Sequence, residues 1–69
     1  MIAINYWVNE DFRNEGISEV YIDDFKNAFD AIDFAIDMVR KHDIACAEVE
    51  ENGTVLYGID EIDEWGVLA

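Results

Sequence analysis

Ile, Tyr and Val side chains occupy every second position along residues 2–9. One set of alternating positions holds Ile2, Ile4, Tyr6 and Val8, and the other holds Ala3, Asn5, Trp7 and Asn9. A period of two residues is typical of a β-strand, because successive side chains point to opposite faces. The run ISEVYI follows after EDFRNEG, in which Gly16 can adopt positive φ. The two runs therefore predict an antiparallel hairpin with EDFRNEG as its turn.

A helical period replaces the alternation after Ile22. The apolar residues of FKNAFDAIDFAIDMVRKH recur every three or four positions and share one face, namely Phe25, Ala28, Phe29, Ile32, Ala35, Ile36 and Val39. Asp23 and Asp24 precede the run as candidate capping and first-turn residues, and the basic segment 40–42 suits its C-terminal end. The pattern predicts one helix over residues 24–42.

The second half of the chain predicts another hairpin. IACAEVE and TVLYGI flank Asn52-Gly53, a dipeptide that favours a two-residue type I′ turn. Such a turn would pair Val49 with Leu56, placing Leu56 on the buried face and Tyr57 on the other. The tail would add a short fifth strand around 65–68, or would simply pack Trp65 on the core.

The predicted order is strand, strand, helix, strand, strand. Residues 1–69 should therefore form a single α+β domain with an antiparallel sheet of four, or with the tail five, strands. One helix should pack on one face of that sheet.

The net charge is a stronger indication of function than any motif in the sequence. Seventeen acidic residues oppose four lysines and arginines, which gives a formal net charge of −13. A small domain needs a net charge of only about 2–8 for solubility. Such an excess opposes direct binding to nucleic acid or to an anionic membrane, since both are negatively charged. It indicates a basic protein partner.

Candidate chemistry is sparse. His42 has no nucleophile beside it in the sequence, and Ser18 and Cys46 lie on predicted strands without a glycine-rich elbow. The tail DEIDEWGVLA has carboxylates but lacks the final glutamate of a calcium loop, and Arg13 interrupts NEDFRNEGI. We therefore expect no enzyme activity, no cofactor and no specific metal site, while leaving weak divalent-cation binding open. The start MIAINYWV lacks a basic segment before its apolar run, so no signal peptide is expected.

The acidic residues fall into three groups that are candidates for binding a partner. The group on the predicted helix is Asp30, Asp33 and Asp37, the group on the hairpin is Glu48, Glu50 and Glu51, and the group in the tail is Asp60, Glu61, Asp63 and Glu64. Rows of carboxylates at helix and strand spacings resemble a nucleic-acid backbone in charge density. The aromatic residues Phe34, Tyr57 and Trp65 are predicted off the core faces and are candidate anchors, either for a partner or for a homodimer.

With its helix in YIDDFKNAFDAIDFAIDMV and its hairpin in EVEENGTVLYGI, the chain resembles small phage-encoded anti-CRISPR proteins in size, acidity and element order. More loosely, it resembles the anti-restriction DNA mimics. The resemblance implies a non-enzymatic inhibitor that occupies the DNA-binding or PAM-reading surface of a CRISPR effector, in the cytoplasm of an infected bacterial cell. It would act as a monomer or a weak homodimer. The alternatives are an acidic interaction or oligomerisation module without DNA mimicry, and a small metal-binding or enzymatic domain.

Overall fold

A five-stranded antiparallel sheet forms the body of the protein, and a long helix packs on one of its faces. The computed structural model describes residues 1–42, 44–61 and 63–66. In chain order the elements are β1 (Ile2–Trp7), α1 (Glu10–Glu15), β2 (Glu19–Ile22), α2 (Ala28–Lys41), β3 (Cys46–Glu51), β4 (Thr54–Asp60) and β5 (Glu64–Gly66). The strands lie in the order β2-β1-β3-β4-β5, so β3 is central. The predicted α+β class is confirmed, and the sheet has the fifth strand.

A short helix replaces the predicted turn between β1 and β2, so the expected order with one helix was wrong. The Asn9 side chain accepts a hydrogen bond from the Phe12 amide at 2.9 Å, which caps the N-terminus of α1. Gly16 ends the helix in the left-handed region at φ 74°. The polar and glycine residues that end a strand are also good helix caps, and for this reason the turn interpretation failed. α1 buries none of its residues, so it has no apolar stripe to reveal it.

The long helix α2 begins four residues later than predicted. Asn27 is its N-cap, and its side-chain oxygen accepts a hydrogen bond from the Asp30 amide at 3.0 Å. The Asp23 side chain instead accepts a hydrogen bond from the neighbouring Asp24 amide. Both aspartates therefore lie in the segment between β2 and α2 and do not cap the helix. Along the described part of the chain, no helix is long and apolar enough to cross a membrane.

The core lies between α2 and the sheet. Ile4, Val49 and Ile59 are fully buried on the sheet, and the small Ala31 and Ala35 of α2 are also completely enclosed. Alanines at these positions let the helix backbone approach the strands closely.

Phe29 is 62% exposed, although its spacing had placed it on the buried face. At about 100° per residue, Phe29 lies roughly 100° around the helix from the mean direction of the buried residues Ala31, Ile32, Ala35 and Val39. The apolar stripe of α2 is therefore narrower than the sequence indicated.

The β3–β4 hairpin has the predicted turn but not the predicted register. Asn52 and Gly53 both have positive φ, at 53° and 86°, as a type I′ turn requires. An irregularity between Val49 and Glu50 then places Leu56 as an extra residue in β4, so Val49 pairs with Tyr57. Because the side-chain alternation shifts by one, Tyr57 points toward α2 and is only 9% exposed. The expectation that Tyr57 lies off the core as an exposed anchor was therefore wrong.

Candidate functional site

The acidic side chains of the described residues all lie at the surface, since no charged residue among them is buried. The three predicted groups do not form one site. The helix group lies on the outer face of α2, and Glu48 and Glu50 lie on the opposite side of the molecule. We call that second surface the open face, meaning the face of the sheet that points away from α2.

The helix group forms an exposed row. Asp30, Asp33 and Asp37 are all exposed, and Lys41 lies 3.5 Å from Asp37 one turn away. Phe34 borders the row and is 37% exposed, as expected. The Phe34 and Tyr21 rings stack with their centroids 4.8 Å apart, and Phe25 meets Phe34 edge-on at 5.8 Å, so Phe34 also helps to hold α2 against β2.

Two glutamates occupy the centre of the open face. Glu48 lies on β3 between Asn5 of β1 and Gly58 of β4, and both Glu48 and Glu50 are half-buried. The Asn5 side-chain amide donates a hydrogen bond to Glu50 Oε2 at 2.8 Å, which holds that carboxylate in place. Glu51, predicted with them, points to the other side by strand alternation and is exposed beside the turn.

Apolar residues surround this glutamate pair. Val20 and Ile22 of β2 are 56% and 58% exposed, and Val55 of β4 is 41% exposed. Their pairing partners Asn5, Ala3 and Glu50 place all three on the open face. The outer face of an antiparallel sheet that meets only water is usually polar. The open face is instead largely apolar around a charged centre.

Trp65 completes the open face from β5. It pairs with Gly58 and its indole lies directly over that glycine, where a β-carbon would overlap the ring. Trp65 is 37% exposed. It therefore remains a candidate anchor, and its position is fixed by the glycine beneath it.

The tail group is folded onto the domain and has basic partners from other elements. Arg40 of α2 lies 2.7 Å from Glu64 Oε1, and the Tyr57 hydroxyl donates to Glu64 Oε2 at 2.6 Å. Burial, followed by the bond to Glu64, raises the pKa of Tyr57 to about 12. Glu64 is therefore the acceptor of a structural network, and less of its charge is available to a partner.

Asp60, Glu61 and Asp63 form a turn before β5. The Asp63 amide donates to Asp60 Oδ1 at 2.8 Å, and the Asp60 amide donates to the Asp63 carbonyl at 2.9 Å. Arg13 of α1 reaches the other oxygen of the Asp60 carboxylate at 3.9 Å. Positions 67 and 68 of the predicted fifth strand lie outside the described residues.

A shallow depression of about 160 Å³ lies beside this turn and is lined by Glu10, Arg13, Ala45, Asp60 and Glu61. It is smaller than the roughly 300 Å³ from which ligand pockets begin. In residues 1–42, 44–61 and 63–66, no three His, Cys, Asp or Glu side chains are placed to hold a metal ion. His42 is exposed at the end of α2, and Cys46 is 3% exposed, where burial raises the pKa of its thiol.

The sequence did not reveal the open face as a surface. Val20 and Ile22 alternate with Tyr21, so they lie on the face opposite to Tyr21. Only the packing of Tyr21 on the core shows that Val20 and Ile22 point away from α2. The position of Trp65 over Gly58 depends on the pairing of β4 with β5. A strand of three residues is too short for its pairing to be predicted from the sequence pattern.

Comparisons with protein-family models, with curated proteins and with solved structures find no match for this chain.

Proposed function

We propose that this protein is an acidic, non-enzymatic inhibitor that binds the basic nucleic-acid-binding surface of a host defence complex. A CRISPR effector whose recognition of target DNA is blocked is the partner class that we propose. The observation that carries the proposal is charge density. The body measures 31 × 20 × 20 Å and the chain has a formal net charge of −13. A DNA duplex of the same 31 Å length carries about 18 phosphate charges, at one per roughly 1.7 Å.

The local pairing of charges supports the same proposal. Three of the four basic residues, Arg13, Arg40 and Lys41, already form ion pairs within the molecule. In the part of the chain that the structure describes, no ion pair within 4.0 Å includes the helix and open-face acids Asp30, Asp33, Glu48 and Glu50. Their charge is available to attract the lysines and arginines of a DNA-binding cleft and to speed association.

The test is competition with DNA. A guide-loaded CRISPR effector is mixed with a fluorescent target duplex, and the bound fraction of DNA is followed as this protein is added. A panel of effectors is needed, because the partner is defined here only by its basic DNA-binding surface. The bound fraction should fall for at least one effector, and less of the protein should be required at low salt than at high salt.

A charge-reduced variant provides the control. Replacing Asp30, Asp33, Asp37, Glu48 and Glu50 by their amides lowers the net charge to −8, since five of the thirteen excess charges are removed. Its inhibition should be at least about fivefold weaker if each of the five lost ion pairs contributes about 0.2–1 kcal/mol. Equal potency of the variant, or inhibition that does not depend on salt, would contradict DNA mimicry.

The exposed apolar residues of the open face favour a second candidate, an acidic interaction or oligomerisation module without DNA mimicry. Its dimer would bury Val20 and Ile22, rather than the already buried Tyr57. Sedimentation equilibrium tests this candidate. A dimer that dissociates when both residues are changed to serine, in a protein that never displaces DNA, would support the module instead.

A further inference from the structure

The open face combines a charged centre with an apolar surround. Glu48 and Glu50 lie half-buried on the central strand β3. Val20 and Ile22 border them on the β2 side, and Trp65 borders them on the β5 side. Covering such a surface removes apolar area from water and also desolvates two carboxylates. The second effect is costly unless the covering molecule supplies positive charge.

This requirement argues against a second copy of the chain as the occupant. Each copy has a net charge of −13. A two-fold, face-to-face contact would enclose Glu48 and Glu50 of both copies without a counter-charge, because the same patch is used twice. The charge of the face is complementary to a basic partner.

Two features of the face suit it to the guanidinium group. The Asn5 side chain holds the Glu50 carboxylate, and the Trp65 indole lies over Gly58, the residue that pairs with Glu48. A guanidinium can bond a carboxylate with two parallel N–H groups while its plane stacks on an aromatic ring. An ammonium group is more strongly hydrated and offers no planar surface for stacking.

We propose that the open face is the surface that engages the basic partner, and that it selects arginine side chains over lysine side chains. Glu48 and Glu50 accept the guanidinium hydrogen bonds, Trp65 supplies the stacking surface, and Val20 and Ile22 exclude water at the rim. This inference rests on the proposed function, because it names which surface and which partner side chain carry the binding.

Octa-arginine and octa-lysine peptides serve as probes in a first experiment. Both tryptophans of the chain, Trp7 and Trp65, lie on the open face, so intrinsic fluorescence reports its occupation. Dissociation constants are measured for wild type, for E48Q/E50Q and for D30N/D33N. The two variants are matched, because each removes two negative charges, one pair on the open face and the other on α2.

Wild type should bind octa-arginine at least about fivefold more tightly than octa-lysine, since the guanidinium adds bidentate bonds and stacking. E48Q/E50Q should weaken octa-arginine binding about tenfold or more and abolish the preference for arginine. D30N/D33N should change the binding less than about threefold, which is the effect of general charge alone. Equal losses in the two variants, or equal binding of the two peptides by wild type, overturn the inference.

A second pair of variants guards against a folding defect in the first. Val55→Lys places a cation on the open face, and Ile17→Lys places one between α1 and β2, outside the strands that form the open face. The two native side chains are comparably exposed, at 41% and 50%. With native circular dichroism for both, only Val55→Lys should reduce octa-arginine binding strongly. Equal reductions overturn the inference.

The DNA competition assay separates this inference from the proposed function. If wild type and D30N/D33N displace DNA from an effector and E48Q/E50Q does not, both stand. If all three displace DNA equally, the open-face inference fails and the proposed function survives. If wild type displaces DNA from no effector, the proposed function fails, and the open-face inference, which rests on it, fails with it.

Discussion

Tyr57 and Glu64 join β4 to β5 through a hydrogen bond of 2.6 Å from the Tyr57 hydroxyl to Glu64 Oε2. Arg40 of α2 binds the second oxygen of the same carboxylate at 2.7 Å. The single carboxylate thus links the last strand both to the sheet and to the long helix. The bond depends on the register shift that turns Tyr57 toward α2, because a tyrosine on the open face could not reach Glu64.

Replacing Tyr57 by phenylalanine should lower the free energy of unfolding by about 1.5–3 kcal/mol, because a hydrogen bond to a charged acceptor is lost. Urea unfolding followed by circular dichroism measures the loss. Tyr21→Phe is the matched control, since the Tyr21 hydroxyl donates to Asp23 at 3.2 Å in an exposed position. The control should lose clearly less stability; equal losses would mean that the Tyr57 bond adds nothing beyond a surface contact.

The raised pKa of Tyr57 predicts a specific dependence of stability on pH. Its folded-state pKa of about 12 exceeds the ordinary tyrosine value of 10.0, so the folded state retains a proton that the unfolded state has lost. The contribution is fully present below pH 10 and is lost as the pH rises toward 12. The stability difference between wild type and Tyr57→Phe should therefore shrink over this range. Other titrating groups occur in both proteins and cancel, so a constant difference would contradict the prediction.

A double-mutant cycle at Gly58 and Trp65 should show strong coupling. Gly58→Ala forces the indole away from the strand and should cost about 1–3 kcal/mol. In a Trp65→Ala background the same change should be neutral or stabilising, because alanine restricts the unfolded chain more than glycine does. Additive effects in thermal or urea unfolding would show that the indole does not lie over Gly58 in solution.

Within the acidic row on α2, the charge of Asp33 should destabilise the helix, whereas the charge of Asp30 should not. Asp33 has like-charged neighbours three and four residues away, so Asp33→Asn should stabilise the protein by about 0.3–1 kcal/mol. Asp30 lies in the first turn, where a negative charge favours the helix dipole, so Asp30→Asn should give no such gain. Unfolding at low and high salt measures both variants. A gain for Asp33→Asn that is not larger at low salt would exclude charge repulsion as its cause.

Cys46 should react slowly with thiol reagents in the folded protein. Its side chain is 3% exposed and burial raises the pKa of the thiol, so little thiolate is present and access is limited. Alkylation by iodoacetamide at mildly alkaline pH should be at least about tenfold slower than in the urea-unfolded chain. A control with Val55→Cys in a Cys46→Ala background places the thiol at an exposed position of the open face. Similar rates for the two thiols in the folded state would contradict the burial of Cys46.

The sequence predicted the features that depend on neighbouring residues. Alternation gave β1, the helical period gave most of α2, and Asn52-Gly53 gave the turn, with positive φ at both positions. These signals are local, since a hydrophobic period or a turn dipeptide favours the same secondary structure whatever the rest of the chain does.

Features that depend on tertiary contacts were missed. The extra residue Leu56 in β4 inverts the faces that a regular hairpin would give, and nothing in TVLYGI marks it. Residues 58–69 contain no lysine or arginine, and Arg13 and Arg40 lie far from them in the sequence but close to Asp60 and Glu64 in the fold. The basic partner expected from the net charge stays a prediction. Only the register of the five strands brings Glu48, Glu50 and Trp65 to one face.

The place of β1 between β2 and β3 has a consequence for how the chain folds. The pairs Ile2–Glu51 and Trp7–Cys46 join residues 49 and 39 positions apart in the sequence, whereas the β3–β4 hairpin closes over two residues. Long-range pairing slows folding because loop closure must be completed before its contacts form. We infer that β3, β4 and α2 associate first and that docking of β1 completes the sheet. Stopped-flow kinetics test this order, since Ile4→Val should mainly speed unfolding, whereas Gly53→Ala in the hairpin turn should mainly slow folding.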